Sequence, residues 1–283
     1  MRLLLGVDKR EGGEDALELA HALAGGEGGT VASALVVTVL FTGPLPMEYA
    51  LLPEEEAHEV EPLFERVRER LAGVEVETRA YGGGSPAGIL TTLAEQEDFD
   101  AIVVGSPHRG AVGRVMAGSV ATSLLNGAPA DVAIAPRSYA QVEHDAPRTI
   151  AVGYDGTPES RVALRHAEAL AHRYNATIRV LTVVRPPVPA PVMVPMGSIP
   201  QLPPDPDRVI EEAIDSIDPL LGAERVRLDG DPAVQLMEAC GEGVDLLVVG
   251  SRGYGPIARV LLGSVSRQVV HKAPCPVLVA RRP

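Results

Sequence analysis

Between Gly250 and Ser266 the chain sets small and hydroxylic residues at intervals suited to holding an anion: Gly250-Ser251-Arg252-Gly253, nine residues, then Gly263-Ser264-Val265-Ser266. Glycine has no Cβ, so its backbone N–H can approach a phosphate closely, and a helix opening at Gly263-Ser264 adds unpaired amides at its positive end. The hydroxyls of Ser264 and Ser266 can donate further hydrogen bonds. Arg252 and Arg259 either neutralise such an anion or stand solvated on a loop and a helix edge. The segment offers serines, a tyrosine and arginines but no positioned base or nucleophile, so binding is expected ahead of efficient catalysis. Slow hydrolysis by a metal-assisted water stays open. No GxxxxGK[ST], HExxH or GxSxG motif occurs in the chain.

The elements that must position this segment come twice. Gly6-Val7-Asp8 corresponds to Gly153-Tyr154-Asp155, Ala16 and Ala20 to Ala163 and Ala167, and Val36-Val37 to Val183-Val184. Further on, Gly84-Ser85-Pro86-Ala87 matches Gly230-Asp231-Pro232-Ala233, and Asp100 to Ser106 matches Asp245 to Ser251. Gly118-Ser119-Val120 then matches Gly263-Ser264-Val265. Self-similarity of this length is duplication. It divides the chain into unit one, residues 1–137, a polar join at 138–147, and unit two, residues 148–283.

In the second unit, apolar runs near 148–154, 177–184, 224–228, 245–249 and 276–280 alternate with helical patterns, giving five strands and four helices. Thr157-Pro158 opens a helix from Glu159 to Tyr174 whose apolar residues recur at helical spacing. Strand, helix and strand in succession predict an α/β fold with two open, doubly wound, five-stranded parallel sheets. The proline-dense stretch from Arg185 to Pro206 is expected to be an extended surface loop rather than helix or central strand. Its counterpart, Thr38 to Pro53, carries Phe41, Tyr49 and Leu51-Leu52, which either cover a pocket or pack against the protein. The run Glu11-Gly12-Gly13-Glu14-Asp15 reads as a turn opening the first helix.

Composition narrows the functional classes. At 283 residues and 46% hydrophobic content the chain can bury an ample core, and its two cysteines, Cys240 and Cys275, read as small buried residues rather than a disulfide or zinc site. A formal net charge of -13 argues against nucleic acid as a partner. The N-terminal apolar run meets Asp8 too early for a membrane span or signal segment, so no membrane and a cytoplasmic setting are expected.

With these residues in place, the chain resembles the universal stress protein family, whose nucleotide-binding members carry Gly, two residues, Gly, nine residues, then Gly with Ser or Thr. The resemblance covers essentially the whole chain, twice. It implies a Rossmann-like fold of the adenine nucleotide alpha hydrolase type, with the halves paired through their last strands as an intramolecular pseudo-dimer, and leaves open a homodimer of chains. It implies ATP as cofactor, with magnesium through Asp155 as an open alternative, and an unidentified protein partner. By the same resemblance Asp155 fixes the adenosine portion and Val183 lines the adenine pocket. Gly250, Gly253, Gly263, Ser264, Val265 and Ser266 then surround the phosphates. The first unit departs from the pattern: His108 stands at the second glycine and Ala121 at the second serine. Asp8, Val36, Gly105, His108, Gly118 and Ser119 are accordingly candidates for a weaker site. Three functions follow: a nucleotide-binding regulator, an ATPase on the same sheet, or an interaction module without nucleotide.

Overall fold

The computed structural model describes residues 1–7, 11–25, 34–40, 50–51, 60–82, 85–107, 111–185, 205–251 and 262–281. Strands and helices alternate in two rounds. The first contains β1 (Leu3–Val7), α1 (Glu11–Ala24), β2 (Ala34–Leu40), β3 (Ala50–Leu51), α2 (Glu61–Arg70), β4 (Val76–Gly82), α3 (Pro86–Gln96), β5 (Ala101–Gly105), α4 (Ser119–Leu125) and β6 (Asp131–Ala135). The second contains β7 (Thr149–Gly153), α5 (Pro158–Tyr174), β8 (Thr177–Val184), α6 (Pro206–Ser216), β9 (Ala223–Asp229), α7 (Pro232–Cys240), β10 (Leu246–Gly250), α8 (Ser264–Val269) and β11 (Val277–Ala280).

Local chemistry explains where the helices start. Four of them, α3, α5, α6 and α7, begin at proline, whose fixed φ suits the first helical turn and whose missing N–H would have had no partner there. The residues before them, Ser85, Thr157, Asp205 and Asp231, accept hydrogen bonds from backbone amides inside the first turn. This corrects the reading of the proline-dense stretch at one end: Pro206 opens α6, while residues 186–204 lie outside the described residues. In the counterpart stretch, Thr38 to Leu40 belong to β2 and Ala50–Leu51 form β3, whereas Phe41, Tyr49 and Leu52 lie outside the described residues. The run from Glu11 is already helical rather than a preceding turn.

Among the described residues the strands form one sheet of eleven in the order β3-β4-β2-β1-β5-β6-β11-β10-β7-β8-β9. The two parallel five-stranded sheets expected from the sequence are therefore fused edge to edge, and the short β3 adds an antiparallel flank to β4. The seam is antiparallel, pairing Val277 with Ile134, Leu278 with Ala133 and Val279 with Val132. Each half's last strand would otherwise expose an apolar edge, and mutual pairing removes it. Leu3, Leu5 and Val7 point into a core shared with α1, α2, α5 and α6, while Leu4, Ile102 and Val104 enter the opposite core against α3, α4, α7 and α8. Period-two alternation thus builds three layers across both halves.

Further bonds lock the halves together. The amides of Val115 and Ala117 donate to the carbonyls of Ala273 and Val270, at 2.8 and 2.9 Å, and the Tyr174 hydroxyl donates to the Leu23 carbonyl at 2.6 Å. The join at 138–147 is itself tied down. Asp15, buried on α1, accepts from the amides of Ser138 and Ala140, and Glu18 accepts from the amide of His144 and from the Arg70 guanidinium. Burial pushes the Glu18 pKa up, but these bonds with Arg70 and His144 outweigh it and hold the carboxyl below its ordinary value. Cys240 and Cys275 are buried as expected, yet the fold makes them neighbours, and the Cys240 thiol together with burial pushes the Cys275 thiol well up.

Candidate functional site

Within each half the order of strands reverses beside the first strand, between β1 and β5 and between β7 and β10. Ligands of open α/β sheets bind outside the carboxyl ends of strands at such a point. In the second half β7 lies between β8 and β10, so the ends of these three strands bring the predicted residues to one edge. Asp155 follows β7 and is exposed, Val183 is the penultimate residue of β8, and Gly250 ends β10. Gly263 and Ser264 open α8, with Gly263 buried and Ser264 exposed, and Val265 packs partly against the core. Arg252, Gly253 and Arg259 lie outside the described residues.

Several of these residues have local work to do. Asp155 Oδ1 accepts from the Thr157 amide at 3.1 Å and from the Thr157 hydroxyl at 2.6 Å, closing an Asx turn that leads into α5. The Tyr154 amide donates to the Leu181 carbonyl, and the buried Thr182 hydroxyl donates to the Tyr154 carbonyl, so the ends of β7 and β8 are pinned to one another. Burial raises the pKa of the Tyr154 phenol. The Ser266 hydroxyl donates to the Gly250 carbonyl at 2.8 Å, which spends its single proton on joining α8 to β10. The residue expected to face an anion therefore also fixes the distance between the two ends of the loop.

Gly250 has a second reason to be glycine. A Cβ there would lie 2.5 Å from the carbonyl oxygen of Glu159 in the first turn of α5, so the helix and the strand end touch backbone to backbone. Gly105 meets the same constraint in the first half, where a Cβ would collide with the carbonyl of Gly12 in α1. The sequence pattern pointed to anion approach; packing against the first helix of each half is an independent demand on the same glycine.

In the first half the chain just beyond that point is held in place. Ser106 is buried, donates to the Ala135 carbonyl at 2.7 Å and accepts from the Met116 amide at 2.8 Å, which draws the following chain back onto the sheet. The ring of Pro107 lies over Gly118, with Cγ 3.2 Å from where a Cβ would stand. Pro107 thus occupies the approach to the start of α4, a feature the sequence reading missed by attending to His108. Asp8 and His108 lie outside the described residues, and Ser119 is exposed at the first position of α4. Val36 requires a correction. Gly6 pairs with Val37 and Gly153 with Leu181, so the β2 residue that matches Val183 in register is Val39. The connection between α1 and β2 is longer than that between α5 and β8, and the extra residues shift the alignment.

A model of the universal stress protein family matches residues 1–136 and again 147–281. The chain belongs to the universal stress protein family. It is similar to a universal stress protein of Mycobacterium tuberculosis, 29% identical over 99% of this chain and 99% of that one. A second relative, from Mycolicibacterium smegmatis, is 33% identical over 68% of this chain and 65% of its own. In shape it matches a universal stress protein of Archaeoglobus fulgidus, with a TM-score of 0.66 and 20% identity, covering 100% of this chain and 98% of the other. That likeness speaks to the fold, which in this tandem universal stress protein is one continuous sheet. Among the described residues no helix is long and apolar enough to cross a membrane, and no group of three His, Cys, Asp or Glu residues could hold a metal ion.

Proposed function

We propose that this universal stress protein is a nucleotide-binding regulator that holds ATP in its second half and alters its engagement of a protein partner when occupied, without efficient turnover. The observation that carries the reading is the convergence of Asp155, Val183, Gly250 and the Gly263-Ser264 start of α8 on one sheet edge, at the strand reversal between β7 and β10. Gly253, at the spacing of the glycine loop, completes the anion cradle in this reading. Magnesium carried with the nucleotide would meet the Asp155 carboxylate. The first half, with Pro107 over Gly118, is the weaker site. We assign the two units to 1–137 and 148–283, and place the protein in the cytoplasm.

Native mass spectrometry of the purified chain tests this. A mass excess matching one ATP or ADP is expected, and its absence even after ATP addition defeats the proposal in favour of a module without nucleotide. Gly253→Val should lower affinity by about a hundredfold, ~2.7 kcal/mol, because a branched side chain displaces the phosphates. Phosphate release at saturating ATP and magnesium separates a binder from an ATPase.

A further inference from the structure

Away from the strand ends, the halves enclose a groove of about 570 Å³ that the nucleotide reading does not use. One wall comes from the first half, the turn carrying Arg114 and Met116; the other comes from α7, with Val234, Met237 and Glu238, and from the turn after α8, with His271 and Lys272. The turn at 111–114 is held in place, since the Gly113 amide donates to the Arg137 carbonyl and the Arg137 amide donates to the Arg114 carbonyl. Arg114 then reaches across, its guanidinium donating to the Lys272 carbonyl at 3.0 Å. One of its five N–H groups is used in that bond.

The chemistry of this groove runs against that of the chain. In a protein of net charge -13, its polar lining consists of Arg114, Lys272 and His271 against a single carboxylate, Glu238, which is already bonded to Gln235. The apolar lining includes two methionines, side chains that adapt to irregular partners. Val112, next to the groove, and Val234, on its wall, are both exposed, so apolar surface continues past the lip. We propose that this groove receives an acidic peptide segment of a partner protein, with one apolar side chain seated between Met116 and Met237 and flanking carboxylates against Arg114 and Lys272. A small acid seated inside would leave Val112 bare, whereas an extended chain covers it. The site joins both halves, so occupancy there senses how the two are held together.

Fluorescence anisotropy with a labelled peptide of two leucines flanked on each side by three glutamates provides the test. Saturable binding that weakens with added salt is expected, with the glutamine and lysine counterparts at least about tenfold weaker. Lys272→Glu and Val234→Asp lie at exposed positions, so their far-UV circular dichroism should be unchanged while each weakens the acidic peptide about tenfold. Gly253→Val should leave peptide binding intact, which separates this site from the nucleotide reading. Failure of the acidic peptide to saturate below about 1 mM, equal affinity for all three peptides, or indifference to Lys272→Glu would each overturn the proposal.

Discussion

The ends of β5 and β10 begin alike, and their sequences part at the third residue, Pro107 in one and Arg252 in the other. Both strands are buried up to their last residue, both end in a glycine pressed against the first helix of its half, and both are followed by a buried serine. After that the first half turns Pro107 over Gly118 and uses Ser106 to draw the chain towards the seam, where Val115 and Ala117 bond to the other half. In the second half Ser266 takes up the bond between helix and strand, and its counterpart in the first half is the buried Ala121. Duplication has therefore left one scaffold with two uses. Glycine at the strand end is a packing requirement shared by both, and in the first half the loop that follows is spent on assembly.

The shared part of that comparison is the most costly to break. Gly105→Ala and Gly250→Ala should each destabilise the protein by about 3 kcal/mol, because a methyl group has no room beside the carbonyls of Gly12 and Glu159. Urea unfolding checks this, and a variant with wild-type midpoint would show that the helix and strand can separate at little cost. A smaller effect concerns what differs. Replacing Pro107 by Arg and His108 by Gly in one variant clears the ring from Gly118 and restores the glycine spacing. Nucleotide affinity in the first half should then rise about tenfold, ~1.4 kcal/mol, seen as a second equivalent in native mass spectrometry. A stoichiometry unchanged by the double substitution would mean that Pro107 and His108 do not set the difference.

How far this was legible in the sequence follows from what each feature depends on. Strand and helix positions came from periodicity and capping, as at Thr157-Pro158, because those signals are local. The fusion of two sheets into one depended on which apolar edges would find each other, and resemblance rather than periodicity supplied it. Register was lost where loop lengths differ: Val36 matched Val183 by offset, but hydrogen bonding equates Val39 with it. The tying of 138–147 to Asp15 and Glu18 was unreadable, since a carboxylate on a helix and a backbone amide more than a hundred residues later leave no joint pattern. At Gly250 the sequence pattern pointed to anion approach, and the contact with Glu159 is a packing demand that this pattern does not encode.

The seam offers a last contrast, because the bond that closes it has no counterpart across the pseudo-symmetry. Asp131 of β6 accepts from the Arg281 amide at 2.8 Å and from His166 Nδ1 of α5, so one carboxylate of the first half ties down two segments of the second. The position matching Asp131 in the second half is Pro276, which can do neither. The hydrogen bond to Asp131 raises the His166 pKa; burial and Arg165 oppose it, and Asp100 adds to it. A histidine whose folded pKa is raised contributes stability that is fully present below its unfolded value, ~6.5, and is lost as pH climbs through the raised folded value. The contribution should be about 1 kcal/mol or less, since the imidazole is 37% exposed and solvent screens the pair. Urea midpoints measured across that window should fall for the wild type relative to His166→Gln, whose stability there should lack this component. Parallel profiles for the two proteins would show that Asp131 holds the seam through the Arg281 amide alone.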